Sequence, residues 1–590
     1  MLRLAKYLKP YWWLIVLLLV FVFGQTYTTL ALPDYTAKII DEGIVGLDRN
    51  AIYSNGLRML LISLIGGAFM VGVGYLAARI ATGVVMNIRD DLFTKVERFS
   101  LQEFNQFSTA SLITRCTNDM QQIQTVLVML LRVALMAPIM GVWAIAKAYG
   151  LAPSMTWIMA VAVGTIVLII GVLFAFAMPR YKRLQNLVDR LNLVTREILT
   201  GLRVIHAFNK EAVDEHKFED INAELTSVNL FVNRLLSVLQ PTMLLVFNLT
   251  SVVIVWGGAS QVDRGNLAIG NMLAYMQYAM QTIFAFLMIS IIFIMVPRAA
   301  VSANRVVEVL QTPITITDPV TPVIEQAEHP GHLVFDNVSF AYPVADVPVL
   351  QDISFEASPG EFTAIVGSTG SGKTTLVNLI PRFYDVTAGR ILIDGVDVRD
   401  FRLDDLYAKL GYVPQKSTLF SGTVASNIRY GAPDSTDAEM RQSAAVAQAD
   451  FINQLEDQFD AHIAQAGTNL SGGQKQRVSI ARAIVMDPEI YIFDDSFSAL
   501  DFKTESRLRG ALRDVTREST VIVVAQRVST IMHADNILVL DKGRLVCQGT
   551  HEELLRDCPV YQEIASSQLS DEELGMSLPM PAIDRERHQS

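Results

Sequence analysis

Six apolar runs dominate the first half of this 590-residue chain. They lie near residues 12–32, 57–81, 126–147, 155–178, 238–260 and 270–296. Each is long enough to cross a bilayer as a helix, at about 1.5 Å of rise per residue against roughly 30 Å of hydrocarbon. Lipid offers the backbone no hydrogen bonds, so a spanning segment must satisfy its own N–H and C=O groups. The runs therefore predict a bundle of six transmembrane helices, and a composition that is 51% hydrophobic agrees with spans. Arg3, Lys6 and Lys9 precede the first run. They predict a short basic amphipathic helix on the inner membrane surface. The run from Trp12 to Leu32 is too long for the apolar part of a signal peptide, and no clear small-residue cleavage site follows it.

Charge in the connecting segments sets the expected orientation. Segment 33–56 carries Asp34, Asp41, Glu42 and Asp48 against Lys38 and Arg49, whereas segments 82–125 and 179–237 hold most of the Lys and Arg. The basic segments should face the cytoplasm, which places both termini inside. Ile88, Leu92, Val96 and Phe99 keep helical spacing, so the span helices should continue well beyond the membrane. In segment 197–211, Leu199, Leu202, Ile205 and Phe208 form an apolar stripe expected to dock on another domain. Pro138 and Pro241 are expected to kink their helices. Arg79, Arg132 and Lys147 fall near span ends, where they are expected to snorkel to the interface. A net charge of −11 without a basic block argues against a nucleic-acid partner. Cys116, Cys547 and Cys558 are unpatterned and read as three separate thiols, with neither a disulfide framework nor a zinc site.

Composition changes after about residue 310. Residues 311–332 hold four prolines and several acids and read as a linker, so the membrane domain is expected to span 1–310. From Leu333 to about 566, short strand-like runs alternate with helical ones, which predicts an α/β domain. Residues 567–590 are polar without a sustained period and are expected to be disordered. The α/β segment contains Gly367-Ser368-Thr369-Gly370-Ser371-Gly372-Lys373-Thr374-Thr375, between an apolar strand-like run and a helical spacing. That is the context of a phosphate-binding loop. Its glycines let backbone N–H groups wrap a triphosphate at a helix N-terminus. Lys373 would reach the β- and γ-phosphates of ATP, and the Thr374 hydroxyl would ligate Mg²⁺.

Leu470-Ser471-Gly472-Gly473-Gln474, between that loop and an apolar run ending in Asp494-Asp495, makes the resemblance specific. The chain resembles the ATP-binding cassette (ABC) transporters, in the form of an exporter half whose transmembrane part comes first. The likeness runs from residue 1 to about 566. It implies a membrane α-helical bundle followed by an α/β P-loop NTPase cassette, with ATP and Mg²⁺ as ligands. Tyr342 matches the aromatic that stacks on adenine. Gln415 matches the glutamine that touches Mg²⁺ and the attacking water, and Asp494 the aspartate that holds Mg²⁺. Ser498-Ala499-Leu500-Asp501 matches the loop that signals between the two sites of a dimer. Leu470–Gln474 matches the signature that closes over the γ-phosphate of ATP held by a second cassette.

Two positions depart from the family. Asp495 stands where the family places a glutamate general base, and its carboxylate falls short by about 1.5 Å, one carbon–carbon bond. Misplacement of about 1 Å can cost about 100-fold in rate. Gln526 stands where the family has histidine, and an amide carries no proton at neutral pH. Both changes strike hydrolysis and spare binding. The loop Ala464-Gln465-Ala466-Gly467 also departs from the family pattern. The expectation is an ATP-driven exporter subunit for apolar or amphipathic, drug-like compounds in a bacterial plasma membrane. It would be the degenerate-site partner in a heterodimer, completing with its own signature a site on a second half-transporter. That partner is expected to keep the catalytic glutamate and to carry an altered signature. A lipid or peptide exporter is the alternative, ahead of a nucleotide-gated channel or regulatory sensor.

Overall fold

The computed structural model describes residues 2–323, 330–343, 345 and 347–569. Part of the expected linker, 324–329, and the expected tail from 570 onward lie outside the described residues. The chain divides into two compact units. One comprises residues 1–97 and 109–312, the other residues 98–108 and 313–590.

The first unit is all helix. Six segments among the described residues are long and apolar enough to span a membrane: Arg3–Val45, Arg49–Glu97, Thr109–Leu151, Pro153–Ala207, Glu211–Asp263 and Ile269–Ile289. The helices Arg49–Glu97 and Thr156–Ala207 run 49 and 52 residues, well past the predicted spans. Trp12, Val20, Leu64, Leu168, Val252 and Trp256 are exposed, an apolar exterior suited to lipid. The N-terminal segment Leu2–Tyr11 is a 3-10 helix rather than an α-helix. Its buried residues Leu4 and Tyr7 are three apart, the period of that helix, and Tyr7 donates to Asp91 at 2.5 Å.

Proline accounts for two interruptions. The helix Glu211–Ser237 stops and Leu239–Asp263 begins around Val238, because Pro241 has no N–H for the Ser237 carbonyl four residues back. The π-helical turn Leu130–Ala134 likewise ends where Pro138 would have bonded Ala134.

The charged residues do not all snorkel. Arg79 and Arg132 are exposed, the former bonded to the Tyr75 hydroxyl. Lys147, by contrast, pairs with Asp34 on the first span helix at 2.6 Å. The hydroxyl of fully buried Tyr278 sits 2.6 Å from the other Asp34 oxygen and 2.9 Å from the Leu30 carbonyl. Sequence placed Lys147 near the membrane edge, but the fold supplies a carboxylate 113 residues away. Three helices are thereby joined by one ion pair and the Tyr278 hydrogen bonds. Lys147→Met is expected to lower stability by about 1–2 kcal/mol. The loss should shrink when Asp34→Asn is added, as read by thermal unfolding in detergent. An unchanged Lys147→Met midpoint rejects this role.

The second unit is an α/β domain. Its strands are β1 Leu333–Phe340, β2 Leu350–Ala357, β3 Phe362–Gly367, β4 Ala388–Ile393, β5 Val396–Asp397, β6 Leu410–Val413, β7 Gly422–Thr423, β8 His462–Ile463, β9 Ile490–Asp494, β10 Thr520–Val524, β11 Asn536–Asp541 and β12 Arg544–Gly549. The main sheet has the order β12-β11-β3-β10-β9-β6 and is parallel except for β12. β9 and β10 are buried throughout, which is why they read as unbroken apolar runs. A four-stranded antiparallel sheet, β2-β1-β4-β5, carries the second core.

The short helix Leu101–Gln106, from between the second and third spans, belongs to this unit. Ser100 and Glu103 cap it reciprocally. Glu103 is buried. Burial pushes its carboxyl up, but hydrogen bonds from Ser100 and Thr315 outweigh this and hold the pKa below the usual value.

The expectation of three separate thiols fails in this unit. Cys547 on β12 and Cys558 after the helix His551–Asp557 form a disulfide. The chain leaves β12 and returns through that helix, so residues 11 apart meet. Cys116 is free.

Candidate functional site

Strand order builds the site. β3, β10, β9 and β6 are parallel neighbours, so the segments that leave their C-terminal ends converge. The loop 367–372 leaves β3, Gln526 follows β10, Asp494 and Asp495 close β9, and Gln415 follows β6.

The loop after β3 turns sharply into the helix Lys373–Leu379. Gly370 and Gly372 sit at φ of 84° and 100°, where a side chain is strained. Ser371 N–H bonds back to the Ser368 carbonyl. Lys373 Nζ donates to the carbonyls of Gly367 at 2.9 Å and Ser368 at 2.8 Å. Burial lowers the Lys373 pKa, and the charges of Asp495 and Asp494 oppose that. Thr374 donates to Asp494 Oδ1 at 3.1 Å. Asp494 is almost fully buried, and desolvation with the nearby Asp495 charge pushes its pKa up to about 6, against the Thr374 hydrogen bond and Lys373. The next hydroxyl, Thr375, lies 3.0 Å from the Tyr342 hydroxyl. The Tyr342 ring meets Phe340 and Tyr384 edge-on.

The two departing positions touch. Gln526 Nε2 donates to Asp495 Oδ2 at 3.0 Å, and Gln415 Nε2 donates to the same oxygen at 3.2 Å. Asp495 has φ of 48° and its N–H is bonded to the Val524 carbonyl, so its backbone is held as well. Two amides thus occupy one carboxylate oxygen at the position expected to orient water.

Ser471 caps the helix Gly472–Ile484, sharing reciprocal bonds with Gln474, and both Ser471 and Gly472 face solvent. Leu470 packs against the cassette core, and Gly473 lies beside Ala499. The segment Ser498–Asp501 is tied at both ends. Ser498 Oγ donates to the Asp495 carbonyl, and Asp501 caps the helix Phe502–Val515. The departing loop 464–467 is a tight turn, held by Asn469 and by Lys475 on the Ala466 carbonyl.

Sequence reading missed two glutamines. Gln476 accepts from the Ala499 N–H and so joins the signature helix to the 498–501 segment. Gln568 clasps the backbone on either side of Arg527, donating to the Gln526 carbonyl and accepting from the Val528 N–H, each at 2.9 Å. Neither lies in a motif, and only the fold brings them to the site.

The family model described as "ABC transporter transmembrane region" matches residues 15–286, and the one described as "ABC transporter" matches residues 350–498. An uncharacterized ABC transporter ATP-binding protein of Mycobacterium tuberculosis is 40% identical over 568 residues, covering 96% of this chain and 97% of its own. An ATP-dependent lipid A-core flippase of Hahella chejuensis is 32% identical over 575 residues, 96% of this chain and 97% of its own. The solved structure of a bacterial Atm1-family ABC exporter with ATP bound superposes with a TM-score of 0.79 at 28% identity, covering 95% of this chain and 98% of that one.

Proposed function

The chain belongs to the ABC transporter family, as an exporter half with its transmembrane region fused ahead of its ATP-binding cassette, and from that premise we propose that it is the degenerate-site subunit of a heterodimer. Half-transporters of this kind dimerise, and the cassette is an ATPase coupled to transport across a membrane. The proposal concerns the division of labour. This chain's loop 367–375 and Tyr342 hold one ATP, and its signature, Leu470–Gln474, closes a second ATP held by a partner cassette. That partner supplies the glutamate this chain lacks.

The observation that carries the reading is the double hydrogen bond on Asp495 Oδ2. A general base must offer a free lone pair at the right reach. Asp495 is one carbon short, and one of its two carboxylate oxygens, Oδ2, is engaged by two amides. Thr374 and Asp494 place two oxygens 3.1 Å apart, with the Gln415 amide beside Asp495, and hard oxygen donors suit Mg²⁺. Bound Mg²⁺ supplies charge neutralisation on the phosphates. Lys373 and the loop N–H groups orient them, and Asp495 with Gln526 shape the space a water would enter.

The proposed cargo is apolar or amphipathic. A lipid-like molecule gains weight because the Hahella chejuensis relative carries a lipid in its name. Both termini are placed inside on the charge of the connecting segments. In the stripe Leu199, Leu202, Ile205 and Phe208 all but the half-buried Ile205 are exposed, which suits a surface covered by the partner's cassette.

Reconstitution tests the pairing. The chain alone, in proteoliposomes, should turn over ATP about 100-fold more slowly than the same chain assembled with a half-transporter bearing the catalytic glutamate. Brisk turnover by self-pairs defeats the heterodimer.

A further inference from the structure

The disulfide between Cys547 and Cys558 does not fit the compartment in which an ATP-binding cassette works. ATP is held inside cells, where thiols are kept reduced, and disulfides that form there are mostly transient or sensing. This one sits in the part of the cassette that reaches the ATP site. Cys558 is almost fully buried and opens the helix Pro559–Ser566. That helix is anchored by Tyr561 and Ala565, both fully buried, and the Tyr561 hydroxyl meets His551 Nδ1 at 2.7 Å. Two residues past its end, Gln568 grips the Gln526 carbonyl and the Val528 N–H. The Gln526 side chain in turn holds Asp495. A continuous line of contacts therefore joins the disulfide to the carboxylate of the ATP site.

We infer that Cys547–Cys558 is a thiol-redox modification site that sets how long this chain's own site retains ATP. Oxidised, the bond ties the helix Pro559–Ser566 to β12, keeps Gln568 on the switch segment 526–528 and keeps Gln526 on Asp495. Reduced, the helix has one tether fewer and the clasp loosens. Cys547 is the more exposed residue of the two. A dithiol therefore attacks Cys547, the sulfur–sulfur bond breaks, and its electrons leave on Cys558, which takes a proton. The second thiol of the reductant then displaces Cys547, which is also protonated, and the reductant departs as its own disulfide. Two electrons and two protons enter the protein. In oxidation the Cys547 thiolate attacks glutathione disulfide and one glutathione leaves; the Cys558 thiolate then displaces the second, so two electrons and two protons leave the protein.

The inference rests on the proposed ATP site, and the experiment separates the two. Full-length protein is treated with glutathione disulfide or with dithiothreitol, its alkylated cysteines are identified by peptide mass, and release of radiolabelled MgATP is timed. The expected result is that only Cys116 is alkylated after oxidation and that Cys547 and Cys558 join it after reduction. Release should be at least threefold slower in the oxidised form. Cys547→Ser should release at the fast rate under both treatments. Gln568→Ala should still form the disulfide but lose the difference. Free Cys547 and Cys558 after oxidation overturn the inference, and so does equal release in the two forms while ATP still binds. No ATP binding in either form overturns the ATP-site reading and takes this inference with it.

Discussion

The double replacement Asp495→Glu, Gln526→His raises ATP turnover of the purified chain about 100-fold, while either single replacement recovers only a small part of that gain. The geometry explains both halves of this expectation. Glutamate extends the carboxylate by about 1.5 Å, toward the space now occupied by the two amides. Gln526 Nε2 and Gln415 Nε2 lie 3.0 and 3.2 Å from Asp495 Oδ2, so a longer side chain in the same frame meets a donor that still holds it. Histidine at 526 without glutamate removes one of the two amides from an oxygen that remains too short, and Gln415 still donates to it. Residues that share a hydrogen bond are coupled, and the two effects should be strongly non-additive. A steady-state ATPase cycle over the four variants measures the coupling directly. If the single replacements add up to the double, the Asp495–Gln526 contact has no part in setting ATP turnover.

The assembled pair yields a second large effect. Gly472→Asp in this chain should abolish ATP turnover by more than about 100-fold, whereas Lys373→Ala should reduce it only a few-fold. Gly472 is the first residue of its helix and is exposed, and a side chain there would meet only Ala499 at an ordinary 3.8 Å. Aspartate is also favourable in the first turn of a helix, so the fold tolerates the change. A carboxylate at that place would oppose a γ-phosphate held by the partner, with like charges close together and little water between them. Lys373 serves only this chain's own ATP, the one that the proposed division of labour makes slow to hydrolyse. In a homodimer the two substitutions would strike equivalent sites and turnover would fall alike. ATPase assays of the wild-type and singly substituted pairs therefore decide between the assemblies, provided each variant still elutes as a dimer.

Much of this molecule is legible in its sequence. The spans were visible because lipid demands about twenty apolar residues in a row, a signal that needs no knowledge of neighbours. The break at Pro241 and the change of winding before Pro138 are legible because a missing N–H acts within four residues. The phosphate loop was visible because its glycines, lysine and threonine are consecutive, and here Gly370 and Gly372 take the left-handed backbone such a turn requires. The identities of Asp495 and Gln526 were equally plain as departures.

What the linear chain withheld is everything that depends on one segment meeting another. Lys147 reads as a snorkelling charge at a span end because its partner, Asp34, lies on a different helix. Cys547 and Cys558 were read as separate because spacing alone does not say whether a strand and a helix will turn the chain back on itself. Most telling is the contact between Asp495 and Gln526. Sequence showed two independent changes, 31 residues apart. Their meeting follows from β9 and β10 lying side by side with Asp494 in register with Val524, so that the residues leaving both strands emerge together. Local backbone geometry and hydrophobic length are properties of short stretches and can be read from them. Hydrogen bonds across strands and helices are set by sheet order and packing, and only the folded chain decides those.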